Sequence, residues 1–283
     1  MPRSTSQPSH RAIARLIARS HRQGAAALYR DPLLFDRLYG RRSADLRCYV
    51  DLARRHGGPV LEIGVGTGRV AAALAQAGVE VVGVDVVPSM LARARQRRTA
   101  LPRAVRERID LVRADMRRLT LGRRFGLVIA PFNAFTHLYT RRDFELTLAG
   151  CRRHLRPGGR LAFDVVLPDL PALCQDPARL YRRGSIVDPQ DGRRYAYAEA
   201  SHYDASSQVR SVTLVLQHPD GSTARAIPLA QRQLFPAELE MLLHYNGFDL
   251  EQRFGDFAFG PLTERSETQL IVAAVARKPR RTS

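Results

Sequence analysis

The feature that most constrains the fold is a short apolar run that leads into a glycine-rich turn and then into a helical stretch. Residues 59–63 read Pro-Val-Leu-Glu-Ile, three glycines follow at Gly64, Gly66 and Gly68, and a helix is predicted over residues 69–77. Glycine tolerates a left-handed backbone and lets a ligand approach the main chain closely. A unit of this kind predicts an open α/β sheet with a ligand at the carboxyl ends of its strands.

The chain after this unit alternates between runs rich in β-branched residues and helical stretches. Continuous apolar strands that alternate with helices indicate a parallel sheet covered on both faces. Further strands are predicted over residues 79–84, 109–112, 125–130, 160–166, 249–255 and 268–276. Further helices are predicted over residues 33–39, 88–94, 141–154 and 236–245, and Pro157-Gly158-Gly159 ends the third of these.

Residues 181–234 break this alternation. Apolar residues recur there with a period of two over 195–199, 209–216 and 223–227, with turn sequences between these runs. Such a segment cannot continue a βαβ series, so it predicts an antiparallel β insertion between strand five and the last helix. The fold class is therefore α/β, a Rossmann-like, doubly wound sheet of seven strands with this insertion. The predicted domains are an N-terminal helical extension or cap (1–56), a cofactor-binding core (57–180), the β insertion (181–234) and the C-terminal end of the core (235–283).

Carboxylates stand at the ends of three successive predicted strands. Glu62 lies two residues before the first glycine of the turn, Asp85 follows the second strand and Asp115 follows the third. Each alone is explained equally well as a helix cap or loop residue. Together they meet at one edge of a parallel sheet, and Asp85 stands where an open α/β sheet places a ribose-binding carboxylate. A carboxylate beside the turn suits a cationic ligand, and Arg69 stands where a dinucleotide fold has its last glycine.

Residues 57–166 resemble the class I S-adenosylmethionine-dependent methyltransferases. Residues 62–68 (Glu-Ile-Gly-Val-Gly-Thr-Gly) are similar to their first motif, Val84-Asp85 to their acidic motif, Asp115-Met116 to their adenine motif, and 154–159 to the turn before strand five. The resemblance implies that the three glycines lie against the amino-acid portion of S-adenosylmethionine. It also implies that Asp85 binds both ribose hydroxyls and that Asp115 and Met116 flank the adenine. The candidate cofactor-binding residues are Glu62, Gly64, Gly66, Gly68, Asp85, Val86, Asp115, Met116 and Pro131.

The segment after the fourth strand bears on the methyl acceptor. It reads Asn133-Ala-Phe-Thr-His137-Leu, without the Asn/Asp-Pro-Pro-aromatic tetrapeptide or the nucleophilic cysteine of two classes of nucleic-acid methyltransferase. It resembles small-molecule N-methyltransferases of the glycine and amino-sugar type. The resemblance implies that Asn133 and His137 lie near the transferring methyl group, that Tyr39 closes over the cofactor and that the β insertion supports a homodimer. An imidazole can accept a proton near neutral pH, although His137 is equally well explained as a structural histidine.

The net charge of +18 would ordinarily indicate a nucleic-acid partner. Lys278 is the only lysine, however, so 44 of the 45 basic residues are arginines, and they are scattered along the chain. This distribution favours a basic background over a nucleic-acid-binding face. Cys48, Cys151 and Cys174 show no CxxC spacing, which fits a reducing cytoplasm. No histidine stands at metal-ligand spacing from a cysteine or carboxylate, and no apolar run approaches the roughly 18 residues that cross a bilayer.

The first thirty residues contain no acidic residue, and residues 11–19 form an amphipathic stretch. We interpret them as a helical extension, with an organelle transit peptide as the alternative. Asp31-Pro32 is expected to break any helix there.

The sequence as a whole predicts a cytoplasmic S-adenosylmethionine-dependent methyltransferase that moves a methyl group to a nitrogen or oxygen atom of a small molecule. Two alternatives stay open: a methyltransferase acting on RNA or protein, and a catalytically silent scaffold subunit. The intact carboxylates Glu62, Asp85 and Asp115 favour the enzyme.

Overall fold

The computed structural model describes residues 27–276, so the amphipathic stretch at 11–19 lies outside the described residues. The chain divides into two compact units. Of the described residues, 27–42 and 169–233 belong to the insertion unit, and 43–168 and 234–276 belong to the core unit. The bounds of the four domains given above stay predictions.

The described residues form eleven strands, eight α-helices and three short 3-10 helices. The strands are β1 (Val60–Ile63), β2 (Val81–Asp85), β3 (Ile109–Arg113), β4 (Phe125–Ala130), β5 (Leu155–Val166), β6 (Tyr181–Val187), β7 (Arg194–Asp204), β8 (Val209–Gln217), β9 (Thr223–Arg232), β10 (Phe248–Phe254) and β11 (Thr268–Val275). The α-helices are α1 (Pro32–Tyr39), α2 (Ala44–His56), α3 (Arg69–Gln76), α4 (Pro88–Thr99), α5 (Arg103–Arg106), α6 (Arg141–His154), α7 (Leu170–Leu173) and α8 (Pro236–Tyr245). The 3-10 helices are Ala27–Arg30, Met116–Arg118 and Ala134–His137.

The core unit contains one seven-stranded sheet in the order β10-β11-β5-β4-β1-β2-β3. Strands β1 to β5 pair in parallel, and β11 runs antiparallel to both of its neighbours. All four residues of β1 are buried, because this strand lies between β4 and β2 and both faces of the sheet are covered. The predicted seven-stranded, Rossmann-like sheet is confirmed.

Two buried clusters of apolar side chains lie on the opposite faces of this sheet. Leu61 of β1 packs with Phe144 and Leu148 of α6 in one cluster. Val60 of β1 packs with Leu74 of α3 in the other. Successive side chains of a strand point to opposite faces, so each short apolar strand supplies residues to both clusters.

Strand β5 begins earlier than the sequence predicts. Helix α6 ends at His154, as expected from the Pro-Gly-Gly sequence that follows, but β5 starts at Leu155 and includes that sequence. Leu155 pairs with Phe125 and Arg160 pairs with Leu127, so the intervening residues bulge out of register. Gly158 has a φ of 78°, the left-handed conformation that glycine tolerates.

The insertion unit contains an antiparallel sheet in the order β6-β7-β8-β9, which confirms the predicted antiparallel insertion. Its first strand, β6, was not predicted. Helix α1 packs on one face of this sheet and starts where the sequence suggested a helix break. Asp31 is its N-cap residue, with the Asp31 side chain accepting a hydrogen bond from the Leu34 N–H (3.1 Å), and Pro32 occupies the first turn.

Candidate active site

The glycine turn lies between β1 and α3 at the carboxyl edge of the sheet. Gly64, Gly66 and Gly68 have φ values of 69°, 55° and 78°, all in the left-handed region. A Cβ added at Gly64 would lie 3.1 Å from the Ala134 Cβ, and one at Gly68 would lie 3.2 Å from the Ala94 Cβ. A Cβ at Gly66 would meet only a carbonyl oxygen of the turn itself, at 3.9 Å. The turn therefore packs tightly at both ends and leaves an open space over its centre.

Asp85 fixes the turn to the end of β2. One carboxylate oxygen accepts a hydrogen bond from the Gly66 N–H and the other accepts one from the Val87 N–H, both at 2.9 Å. Burial raises the pKa of Asp85, and these backbone hydrogen bonds lower it by a smaller amount. The structure thus brings two sequence-predicted residues into direct contact. Val86, the next residue, is 52% exposed.

Glu62 lies in β1, the central strand, and is only 2% exposed. Burial raises the pKa of its carboxyl well above the ordinary value, and the positive charge of Arg69 opposes that rise. Its Oε2 atom is buried and has no hydrogen-bond partner among the described residues. A buried carboxylate oxygen without a partner is costly in a folded protein and points to a group that would satisfy it.

Arg69 and Asp45 form an ion pair that the sequence did not predict. The Arg69 guanidinium donates to both carboxylate oxygens of Asp45, at 2.7 and 2.5 Å. The Asp45 side chain is 1% exposed and that of Arg69 is 14% exposed. The pair joins the first turn of α2 to the residue that directly follows the glycine turn.

The loop after β4 is held by the end of β5. Asn133 has a left-handed φ of 62°, and its Oδ1 accepts a hydrogen bond from the Val166 N–H at 2.6 Å. The carboxylate of Asp164, another residue missed by sequence reasoning, accepts from the Phe132 N–H at 2.8 Å and from the Tyr49 hydroxyl at 2.6 Å. Burial and the Asp164 charge raise the pKa of Tyr49 well above its ordinary value.

The spacing of four residues between Asn133 and His137 predicts one α-helical turn with both side chains on one face, and this prediction is wrong. Residues Ala134–His137 form a 3-10 helix, and Asn133 is its N-cap residue rather than part of an α-helical turn. Side chains three residues apart share a face in a 3-10 helix, whereas the α-helical rule concerns residues four apart. His137 is half-buried, with its Nδ1 atom 3.4 Å from the Tyr139 hydroxyl.

Asp115 lies just beyond β3, at the position where the sequence placed it. Its carboxylate accepts from the Arg117 N–H at 2.9 Å and pairs with the Arg117 guanidinium at 2.7 Å, which lowers the pKa of Asp115. Met116 is half-buried against the apolar cluster of α6, and Pro131 is buried directly after β4.

Tyr39 belongs to the insertion unit and ends α1. Its ring centroid lies 5.2 Å from that of Phe35. Burial raises the pKa of Tyr39 to about 12, and the Glu199 charge adds to that rise.

Known proteins match both the sequence and the fold. The methyltransferase domain family matches residues 60–159. Cypemycin N-terminal methyltransferase from Streptomyces sp is 30% identical over 220 residues, which are 76% of this chain and 82% of that protein. The chain belongs to the S-adenosylmethionine-dependent methyltransferases.

Two further similar proteins are also methyltransferases. The CcbJ methyltransferase from Streptomyces caelestis has a TM-score of 0.73 and 27% identity, covering 88% of this chain and 98% of that one. A dTDP-3-amino-3,6-dideoxy-alpha-D-glucopyranose N,N-dimethyltransferase from Streptomyces fradiae is 35% identical over 124 residues, 43% of this chain and 44% of that protein. The resemblance to amino-sugar N-methyltransferases is therefore confirmed.

Two classes of feature are absent from residues 27–276 of the methyltransferase. No helix there is long and apolar enough to span a membrane. Nor do those residues include a group of three or more histidine, cysteine or acidic side chains arranged to hold a metal ion.

Proposed function

We propose that this methyltransferase methylates a nitrogen atom of a small molecule or short peptide. The names of its relatives support this choice, since they describe methylation at a peptide N-terminus and at an amino sugar. Methylation of an oxygen atom stays an alternative, whereas RNA is not favoured because the relatives named above do not include an RNA enzyme. When bound, S-adenosylmethionine supplies a methyl group that its sulfonium already activates, so alignment is the main task of the protein.

The residues around the glycine turn fit this cofactor, and the observation that carries the proposal is the unpartnered carboxylate oxygen of Glu62 beside an open, left-handed turn. Glu62 would attract the positively charged portion of the cofactor, while Gly64, Gly66 and Gly68 would let it approach the backbone. Asp85 would hold the ribose hydroxyls, with its orientation set by the Gly66 and Val87 N–H groups.

The remaining cofactor residues are proposed from their places at the same sheet edge. Asp115 and Met116 directly follow β3 and would flank the adenine. Val86 and Pro131 directly follow β2 and β4. The ion pair between Asp115 and Arg117 would orient the Asp115 carboxylate.

On the acceptor side, His137 would take a proton from the acceptor, and Asn133 would help to position the acceptor. Asn133 uses its Oδ1 to hold the Val166 N–H, which fixes the direction of its side-chain amide. Tyr39 is proposed as the third active-site residue on the resemblance alone. A homodimer through the β insertion is proposed on the same basis, and a cytoplasmic location is proposed on the three cysteines without CxxC spacing.

Asp85→Ala tests the cofactor assignment. Loss of two ribose hydrogen bonds should cost about 2–3 kcal/mol, which raises the Kd for S-adenosylmethionine roughly 30- to 150-fold. Calorimetry on the full chain measures this change. Asp110→Ala is the matched control, because Asp110 is an exposed carboxylate on the neighbouring strand β3. Tighter binding of NAD than of S-adenosylmethionine by the unaltered protein would contradict the proposed cofactor.

Glu62→Gln should change stability and binding in opposite directions. Because burial raises the pKa of Glu62, the folded protein favours the protonated form, and its stability falls as the pH rises above the ordinary carboxyl value. Glutamine removes that penalty, so the ligand-free variant should be more stable than the parent at pH 7 and equal to it near pH 4.

The same Glu62→Gln variant should bind S-adenosylmethionine about tenfold more weakly, because glutamine cannot ionise when the cation binds beside it. Thermal unfolding at several pH values and calorimetry separate the two effects. Unchanged affinity together with raised stability would remove Glu62 from the cofactor site.

A further inference from the structure

The insertion unit contains a cavity of about 310 Å³ that the methyl-transfer chemistry does not use. It lies between α1 and the first two strands of the antiparallel sheet. Its lining includes three arginines: Arg37 from the last turn of α1, Arg41 from the turn that follows α1, and Arg194 from the start of β7. We propose that this cavity binds a small molecule through a phosphate or diphosphate group.

The three guanidinium groups have no acidic partner among the described residues. Elsewhere in the chain arginines do pair with carboxylates, as Arg103 does with Glu107 and Arg160 with Glu251. The guanidinium groups of Arg37 and Arg41 make no hydrogen bond with any described residue, and that of Arg194 donates only to the Ser185 hydroxyl, at 3.2 Å. Three cations line one concavity whose lining residues include no carboxylate, which raises the local positive potential and attracts an anion. The Glu199 carboxylate beside Tyr197 is itself paired with Arg183.

The chemistry of the lining favours a phosphate over a simple halide. A guanidinium presents several N–H donors in a plane and binds phosphate oxygens in pairs. Ser185 accepts from Arg194 and keeps its own hydroxyl hydrogen for an anion. The lining residues include no carboxylate, so the positive charges of the three arginines would be available to balance the negative charges of two phosphate groups.

The rest of the cavity is apolar or aromatic. Leu38, Ile186 and Val187 line it together with Tyr197. The Tyr197 hydroxyl is already engaged, since it donates to the Glu199 carboxylate. This surface suits the non-phosphate portion of a small organic molecule. The volume is at the lower end for small-molecule pockets, which run from roughly 300 to 1,000 Å³.

The test is calorimetric titration of the full chain with inorganic pyrophosphate, inorganic phosphate and a single-stranded oligonucleotide at physiological salt. Pyrophosphate should bind more tightly than phosphate, because it engages more of the three arginines. The double variant Arg37→Gln/Arg41→Gln should weaken pyrophosphate binding about tenfold or more, since charge-assisted hydrogen bonds are lost.

The matched control is the double variant Arg95→Gln/Arg182→Gln, which removes the same charge from exposed positions outside the cavity. It should leave pyrophosphate binding within about twofold, because neither arginine lines the cavity and a charge that makes no direct contact with the anion is screened at this salt concentration. Equal weakening in both variants, or absence of pyrophosphate binding, would overturn the proposal. Tighter binding of the oligonucleotide than of pyrophosphate, lost in both variants, would assign the arginines to nucleic acid instead. Binding of S-adenosylmethionine, measured in each variant, reports independently on folding and on the proposed cofactor.

Discussion

Asp45→Ala is expected to lower the free energy of unfolding by about 3–5 kcal/mol, because it removes the buried carboxylate that accepts two charge-assisted hydrogen bonds from the Arg69 guanidinium. A loss of this size is a large part of the 5–15 kcal/mol that stabilises a typical domain. The affinity for S-adenosylmethionine should also fall, since Arg69 directly follows Gly68 of the glycine turn and begins α3. Chemical denaturation of the full chain measures the loss of stability.

Two further variants separate the buried ion pair from a general effect of charge. Asp51→Ala makes the same chemical change on the same helix, but Asp51 only forms exposed pairs with Arg47 and Arg54 at 4.0 and 3.6 Å. Its expected cost is at most about 1 kcal/mol. The double variant Asp45→Leu/Arg69→Met removes both charges of the pair and should recover part of the loss, since neither partner is left buried alone, although Glu62 then loses the positive charge of Arg69. Equal destabilisation by Asp45→Ala and Asp51→Ala would contradict the role given to this pair.

The sheet of the core unit could be predicted because the local sequence of its strands is itself typical of buried strands. Short runs such as Phe125–Ala130 are apolar throughout, as expected of a strand that is covered on both faces. Strand β6 lacks such a signal: of Tyr181–Val187, only Ile186 is buried, and Arg182, Arg183 and Gly184 interrupt any alternation. Strand β6 forms because β7 pairs with it along nearly the whole length of β6. This pairing depends on residues elsewhere in the chain, so the local sequence pattern does not predict it.

The residues of the candidate site also fall into those that the sequence predicted and those that it missed. Glu62, Gly66 and Asp85 were found because strand ends gather at one sheet edge, so sequence position alone brings them together. Asp45 and Arg69 were missed because each has a sufficient local explanation, an acidic residue in a first helical turn and the first residue of a helix. Their pairing joins elements 24 residues apart and requires the packing of α2 against α3.

The structure of the loop after β4 was predicted wrongly for a different reason. Its spacing of four residues between Asn133 and His137 suggested an α-helical turn, but the chain there forms a 3-10 helix. The cause is tertiary: Asp164 and Val166, at the end of β5, bind the backbone of Phe132 and the side chain of Asn133. Since these bonds span more than thirty residues, the local sequence does not encode the shape of the loop.

His137→Ala is expected to lower kcat roughly 10²- to 10⁴-fold, the range lost when a general base is removed. The affinity for S-adenosylmethionine should stay nearly unchanged, because His137 is not among the proposed cofactor-binding residues. Turnover of the parent at saturating acceptor should fall on the acid side of its pH profile, and the variant should lose that fall. Steady-state rates across the pH range, with calorimetry for the cofactor, measure all three quantities.

His154 supplies the control, because it is a histidine with a structural explanation. It is 5% exposed, its Nε2 accepts from the Leu121 N–H at 3.0 Å, and its Nδ1 lies 2.8 Å from the Gly150 carbonyl oxygen. His154→Ala should therefore lower stability by about 1–3 kcal/mol while the folded enzyme keeps its kcat. The two histidines should thus differ in kind: one variant loses rate at constant stability, the other loses stability at constant rate. If His137→Ala instead unfolds the protein or leaves the pH profile unchanged, His137 has the same structural role as His154, and the proton leaves the acceptor by another route.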